Sequence, residues 1–123
     1  MEQMEKMYCD HEREHESAVL RAKEGLLLDQ DVEKMARMFS VLSDPIRLRI
    51  VLTLMEGSMC VFHLLQVCET TKSAMSHQLR ILKDYNIVKA KRYGKNVEYS
   101  IMDGHIQEMV KMGITHLACK HEE

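Results

Sequence analysis

The chain has 123 residues, of which 46% are hydrophobic and 29% are charged, so it is long enough for one domain with a modest core. No apolar run approaches the roughly 18 residues of a membrane span, and the polar, acidic N-terminus does not resemble a secretory signal. We therefore predict a cytoplasmic protein. Its cysteines, Cys9, Cys60, Cys68 and Cys119, are expected to be thiols or metal ligands rather than disulfides, with Cys68 packed in the core.

The N-terminal half is predicted to contain a charged arm followed by three helices. Residues 1–16 form the arm, and helical patterns follow over residues 14–25, 29–42 and 46–56. Asp44 fits the cap of the third helix and Pro45 fits its first turn, where the missing N–H costs nothing. This helix is apolar on most sides, which predicts a buried position. The predicted domain covers residues 17–119, and residues 120–123 form a short tail.

Two further helices, over residues 60–67 and 71–85, are joined by only a few residues. In the second, Met75, Leu79 and Leu82 recur at helical spacing and are predicted to pack inward. Polar and basic side chains on its other side are of the types that reach phosphates or base edges in a major groove. These predicted DNA contacts are Lys72, Ser73, Ser76, His77, Gln78 and Arg80. The alternative for this segment alone is an ordinary amphipathic surface helix.

Residues 87–93 and 97–101 alternate like two strands, and Gly94, Lys95 and Asn96 between them are typical of a hairpin turn. A basic hairpin directly after a helix pair indicates a wing. Its predicted phosphate contacts are Lys89, Lys91, Arg92 and Lys95, which makes the affinity for DNA salt-dependent. The predicted fold class is mostly α with a small β-hairpin (α+β), a winged helix-turn-helix.

Charge along the chain supports this interpretation, although the formal total is only −2. Residues 71–95 contain seven basic residues and one acid, a net charge of +6, whereas the remaining residues sum to −8. This separation gives the predicted helix and wing a local positive field. In an arbitrary protein such a run of basic residues is usually only a solvated face. Here it coincides with the predicted helix and hairpin, and this coincidence favours a DNA-binding surface.

Three stretches resemble the ArsR/SmtB repressors: FSVLSDPIRLRIVLTL (residues 39–54), SAMSHQLRILKDYNIVKAKRYGKNVEYSI (73–101) and DGH with a later His (103–116). The resemblance covers roughly residues 32–119. It implies a homodimer with its first and last helices at the interface, a palindromic operator beside genes for metal handling, and release of DNA when the inducer binds. Where the family usually has Gly before the recognition helix, this chain has Glu69. A left-handed conformation costs Glu energy, so we expect a local difference there.

Spacing in the last helix predicts a metal site between two subunits. At about 100° per residue, His105, His116 and Cys119 lie on one side of the helix, which Asp103 precedes. A rise of about 1.5 Å per residue separates His105 from His116 by ~16 Å, too far for one ion with bonds of about 2.0–2.3 Å. An antiparallel partner helix brings the other chain's pair alongside, giving two identical sites. The apolar stripe predicted for this pairing is Ile106, Met109, Val110, Gly113 and Leu117.

Oxygen, nitrogen and sulfur donors together suit Zn(II), with Co(II) or Ni(II) as substitutes. Asp103, His105 and His116 match the family's interhelical zinc site, whose fourth donor is usually Glu or His. Cys119 stands in that place here and softens the site, which leaves the metal open. His121 lies ~160° from His105 on a continued helix and is a poorer candidate unless the end of the helix frays. The alternative is a helix cap with solvated histidines.

The resemblance also implies a second, softer metal site between the arm and the helix-turn-helix. Cys60 matches the leading thiolate of that site, and His63 follows three residues later. The arm supplies the other candidate ligands, Cys9, His11 and His15. Zinc, cadmium or lead could bind such a set. The Cys-x-Cys pattern of the family's thiolate-rich cadmium, lead and arsenite sensors is absent, because Phe62 occupies its second position, so we do not expect an As(III) site of that kind. The alternative is an arm whose Cys and His are merely solvated.

The predicted function is therefore a DNA-binding repressor that releases its operator when a divalent metal, foremost Zn(II) and otherwise Cd(II) or Pb(II), binds between subunits. The predicted partners are double-stranded DNA and a second copy of the chain, with no membrane and no small organic substrate. One alternative is a thiol or metalloid sensor acting through Cys9, Cys60 and Cys119. Another is a metal-buffering or interaction protein without operator specificity. No HExxH, glycine-rich phosphate loop or nucleophile elbow is present, so we do not predict an enzyme.

Overall fold

The computed structural model describes residues 12–26 and 28–121. Its elements follow the predicted order with one added strand: α1 Glu12–Gly25, α2 Asp29–Leu42, α3 Pro45–Leu54, β1 Met59–Cys60, α4 Val61–Val67, α5 Lys72–Asp84, β2 Val88–Tyr93, β3 Asn96–Ile101 and α6 Gly104–Ala118. Among the helices of this part of the chain, none has the length and apolar character needed to cross a bilayer.

The chain divides within α2 into two compact units, Met1–Met35 and Ala36–Glu123. In the first unit, α1 begins two residues before the expected residue 14, and its described side chains are all exposed, including Val19 and Leu20. The second unit contains the end of α2, every later element and the whole buried core.

The core of the second unit is one apolar cluster formed by helices and strands together. In α3, Ile50 and Val51 are completely buried and Leu54 is nearly so, whereas Ile46 and Leu52 are 40% and 38% exposed, so the prediction that this apolar helix is buried holds for one side only. The other members are Val41, Leu42, Leu64, Cys68, Met75, Leu79, Leu82, Ile87, Val88, Ile101, Ile106 and Val110. Cys68 therefore packs in the core as predicted, and its sulfur lies 3.9 Å from Thr53 Oγ1.

Side-chain caps fix where the helices of the DNA-binding region begin. The carboxylate of Asp44 accepts a hydrogen bond from the backbone N–H of Arg47 at 3.0 Å, and Pro45 occupies the first turn of α3 as predicted. The hydroxyl of Thr71 accepts from the N–H of Ala74 at 3.1 Å and starts α5. Such caps satisfy N–H groups that have no partner within the helix.

The end of α5 turns the chain directly into the hairpin. Asn86 adopts a left-handed conformation with φ 58°. Its N–H donates to the carbonyl of Lys83 at 3.0 Å, and the N–H of Ile87 donates to that of Leu82 at 2.9 Å. This pair of bonds is a Schellman motif, with Asn at the position where glycine is most frequent. It places β2 immediately after the helix.

A three-stranded antiparallel sheet in the order β1-β3-β2 replaces the predicted two-stranded hairpin. β2 and β3 pair from Val88↔Ile101 to Tyr93↔Asn96, as expected, and the added strand pairs Met59 with Tyr99. The predicted helix start at about Cys60 differs from the observed start by one residue, because Cys60 pairs with β3 and occupies the N-cap position of α4 without a side-chain capping hydrogen bond.

The turn between α4 and α5 accommodates Glu69 without left-handed backbone. Among the described residues other than glycine, only Asn86 has a positive φ. The chain leaves α4 through Cys68, which is extended with φ −100° and ψ 120°. The expected strain at Glu69 is therefore avoided by a different local path.

Candidate functional site

Helix α5 has the two faces that the sequence predicts. Met75, Leu79 and Leu82 are at most 1% exposed and fix the helix to the core. Ser73, Ser76, His77 and Arg80 are exposed, as is Lys72 at the first position. Small side chains on the exposed face permit close approach to a groove, and the hydroxyl, imidazole and guanidinium groups supply donors and acceptors.

Gln78 differs from the other predicted contacts because it is half-buried and has an intramolecular partner. Its side-chain Oε1 accepts a hydrogen bond from Nη1 of Arg47 at 3.1 Å. Nε of the same guanidinium donates to the carbonyl oxygen of Val41 at 2.8 Å. Arg47 therefore links the last turn of α2, the first turn of α3 and the middle of α5.

The hairpin exposes all four of its predicted basic contacts, Lys89, Lys91, Arg92 and Lys95. Gly94 has a φ of 61° in the two-residue turn that places Lys95 at the tip. Lys91 Nζ lies 5.2 Å from the ring centroid of Tyr93. Lys91 also pairs across the strands with Glu98, the one acid in the sheet, whose carboxylate accepts from the hydroxyl of Ser58 at 3.2 Å.

A groove separates the start of α5 from the tip of the hairpin. Lys72 and Lys95 line it from its two sides, and Cys60 and Phe62 belong to its wall. Phe62 is 68% exposed and meets the ring of His63 edge-on at 5.7 Å. The groove thus combines two cations from the predicted DNA-binding elements with the thiol predicted to bind metal.

At the start of α6, Asp103 and His105 form one pair of candidate ligands. Asp103 caps the helix, and its Oδ1 accepts from the N–H groups of His105 and Ile106 at 3.0 and 3.2 Å. Nδ1 of His105 lies 3.5 Å from the same oxygen, and the imidazole is 96% exposed. The hydrogen bond from Ile106 is the main cause that lowers the pKa of the Asp103 carboxyl, with His105 also contributing. The carboxylate form that binds a metal is thus favoured.

At the other end of α6, His116 and Cys119 are both exposed. The helix stops at Ala118, and Cys119 is extended with ψ 140°. This early end brings His121 beside His116, with ring centroids 4.6 Å apart. The sequence-based angle for His121 assumed a continuous helix, so it does not apply. The predicted tail over residues 120–123 was the signal for this neighbour, because it places His121 beyond the helix.

The two candidate pairs on α6 lie at opposite ends of one continuous helix. Within residues 12–26 and 28–121, no three His, Cys, Asp or Glu side chains are grouped so that they could hold one ion. The estimated ~16 Å between His105 and His116 applies to the observed helix, since both lie inside it. One subunit therefore presents two separate pairs of candidate ligands rather than one candidate site.

Of the predicted arm site, the structure brings Cys60 and His63 together. Cys60 Sγ is 3.4 Å from Nδ1 of His63. His15 lies in α1, whereas Cys9 and His11 lie outside the described residues. The two adjacent groups, one thiol and one imidazole, are of types that bind soft divalent ions.

Comparisons with known proteins agree on one family. The protein-family model described as "Bacterial regulatory protein, arsR family" matches residues 44–90, from the cap of α3 into the hairpin. The chain is 36% identical over 109 residues to a transcriptional repressor SmtB homolog of Synechocystis sp., covering 89% of this chain and 83% of that protein. It is 35% identical over 114 residues to a cadmium resistance transcriptional regulatory protein CadC homolog of Staphylococcus aureus, covering 92% and 93%.

The solved structures give the same result. The crystal structure of Rv0081 from M. tuberculosis superimposes with a TM-score of 0.69 at 31% identity, covering 74% of this chain and 92% of that one. The fold is therefore a winged helix-turn-helix, and the relatives are transcriptional regulators rather than enzymes. This chain belongs to the ArsR family of regulatory proteins, the family of the SmtB repressor homolog and the CadC regulatory protein homolog.

Proposed function

We propose that the protein is a homodimeric repressor that releases a palindromic operator when a divalent metal binds between the α6 helices of its two subunits. The observation that supports it is the separation of two exposed donor pairs along one face of one helix. Each pair alone has too few ligands for a four-coordinate ion. Antiparallel α6 helices related by a two-fold axis would complete two equal sites.

The apolar surface of α6 fits this pairing in its second half. Every residue from 111 to 118 is exposed, and Met112, Ile114 and Leu117 are apolar. The stripe predicted from the sequence was wrong in its first half. Ile106 and Val110 are buried in the core of their own subunit and Met109 packs against it, so only Gly113 and Leu117 of that stripe remain available to a partner.

The donor set suits zinc, and its variable fourth position would decide between metals. Asp103, His105 and His116 are oxygen and nitrogen donors that favour Zn(II) or Co(II). Cys119 as the fourth donor would favour Cd(II) or Pb(II) as well. His121, next to His116, would instead give a site without sulfur. When bound, the metal would supply a cross-link that fixes one arrangement of the two subunits.

The operator would be read by α5 and held by the hairpin. Two-fold symmetry would present two α5 helices to successive major grooves, which predicts a palindromic site. Metal binding would weaken DNA binding by stabilising a dimer in which the two α5 helices are wrongly spaced for successive major grooves. Such coupling is worth about 1–3 kcal/mol, a change of roughly 5–150-fold in affinity, and acts equally on metal affinity when DNA binds.

Mixed dimers test the shared site directly. One subunit has Asp103→Ala and His105→Ala, the other His116→Ala and Cys119→Ser, and both have Cys60→Ser to remove the second site. A heterodimer retains one complete site, whereas each homodimer retains none. We expect one tightly bound zinc per heterodimer and none in either homodimer, measured by competition with a chromophoric chelator. Zinc binding by a homodimer equal to that of the heterodimer would contradict the shared site.

DNA binding is tested with a duplex selected by the metal-free protein from a random-sequence library. We expect a palindromic duplex whose affinity falls when zinc is added and recovers when zinc is chelated. Affinity that does not change with zinc would eliminate the switch and leave the DNA-binding function. Selection that enriches no sequence would favour a metal-buffering protein instead.

A second metal-responsive group is supported by the contact between Cys60 and His63. Cobalt titration of Cys119→Ser and Cys60→Ser separates the two sites, because thiolate-to-cobalt charge transfer reports bound sulfur. If zinc weakens DNA binding by the wild-type protein but an oxidant does not, the thiol-sensor alternative is excluded. If only an oxidant relieves it, the metal switch is excluded.

A further inference from the structure

Two hydrogen bonds hold the guanidinium of Arg47 beside helix α5. They leave some of its N–H groups without a partner among the described residues. Of the five N–H groups in a guanidinium, one donates to Val41 and one to Gln78. Three therefore have no hydrogen-bond partner among the described residues. Within the same part of the chain, no carboxylate lies within ion-pair distance of this side chain.

The side chain is half-buried, which makes its unpaired charge informative. Withdrawing a cation from water costs energy unless an anion compensates it. The Asp44 carboxylate on the same helix turn accepts its hydrogen bond from the backbone N–H of Arg47 rather than from the guanidinium. An anion that reached Arg47 from outside the chain would supply the missing compensation.

The position of Arg47 indicates which anion that is. Its partner Gln78 follows His77 on α5, at the edge between the exposed DNA-facing side and the buried side. A guanidinium forms two parallel hydrogen bonds to a phosphate. Because Val41 and Gln78 already fix its plane, little side-chain freedom remains to be lost on binding.

We infer that Arg47 binds a phosphate of the DNA backbone at the edge of the major groove that α5 occupies. This contact rests on the proposed function. It lies outside the basic segment 71–95, which is why the charge pattern did not indicate it. It also gives Gln78 a role distinct from base reading, since its Oε1 positions Arg47.

The test is the salt dependence of DNA binding, measured by fluorescence anisotropy with the selected duplex. Each phosphate contact contributes about 0.9 to the slope of log K against log salt concentration. Arg47→Gln is expected to reduce the slope by about 1.8 for a dimer that loses two contacts. Arg47→Lys is expected to keep most of the slope but bind more weakly, because it retains the charge without the planar fork.

Arg49→Gln is the matched control, since Arg49 is exposed on the same helix about 200° away. It removes the same charge and is expected to leave the slope unchanged. A purely structural role for Arg47 would lower the affinity of Arg47→Gln with the wild-type slope, and that result would overturn the inference. A wild-type protein that selects no duplex would instead overturn the proposed function, so the two failures are distinguishable.

Discussion

Helix α5 with the hairpin, and helix α6 with its candidate metal ligands, differ in how much of each surface is formed within one chain. Helix α5 is fixed to the core by three side chains that are at most 1% exposed, and the hairpin follows it without a loop. The second half of α6 is exposed at every residue. A surface that must match DNA is thus rigid within one subunit. Under the proposed function, the surface that responds to an ion is completed only when two subunits meet.

The largest expected effect tests the anchoring of α5. Leu79→Ala removes a side chain that is 1% exposed and should lower the free energy of unfolding by about 2–5 kcal/mol. His116→Ala changes an exposed residue, and its free energy of unfolding should lie within about 0.5 kcal/mol of the wild-type value. Denaturant unfolding of the metal-free protein, at one fixed protein concentration, measures the free energy of unfolding of both variants. Equal losses would mean that α6 is as deeply integrated as α5.

A smaller effect tests the hairpin turn. Gly94 has a φ of 61°, and a Cβ there would meet no atom within 4 Å, so Gly94→Ala should cost about 1–2 kcal/mol from the backbone alone. Gly113→Ala is the matched substitution in α6, where an added Cβ would meet no described atom within 4 Å beyond its chain neighbours and the backbone of its own helix. It should stabilise the helix by roughly 0.5–1 kcal/mol. If Gly113→Ala instead weakens self-association in ultracentrifugation, the partner helix approaches closely at that residue.

The smallest effect is a pH dependence at the start of α6. The lowered pKa of Asp103 means that its carboxylate stabilises the fold above its ordinary pKa of 3.8, and this contribution is lost as pH falls through the lower folded-state value. Asp103→Asn keeps a capping oxygen without the charge. We expect the difference in melting temperature between wild type and Asp103→Asn to shrink below pH 3.8. A difference that stays constant from neutral to acidic pH would contradict this assignment.

The features predicted correctly from the sequence are those set by local periodicity. Met75, Leu79 and Leu82 identify the buried side of α5 by spacing alone, and alternation with a central glycine identifies the hairpin. The same periodicity finds an apolar stripe on α6 but does not say what the stripe faces. In the structure its first half packs on the core of its own subunit.

The features that were missed depend on contacts between distant residues or on where a helix ends. The hydrogen bond from Arg47 to Gln78 joins residues 31 apart, and β1 has only two residues whose partners are in β3. No local pattern marks either of them. His121 was misplaced for a different reason, because the turn at Cys119 changes its direction relative to His116.

The short strand β1 has a consequence for any ligand on the Cys60 thiol. Cys60 is paired with Glu98 of the hairpin and is also the residue from which α4 begins. A displacement of this one residue therefore moves a strand of the wing and the leading helix of the helix-turn-helix together, with no flexible linker to absorb it. An ion or adduct on Cys60 would therefore shift both DNA-binding elements of a single subunit, without any change at the interface between subunits.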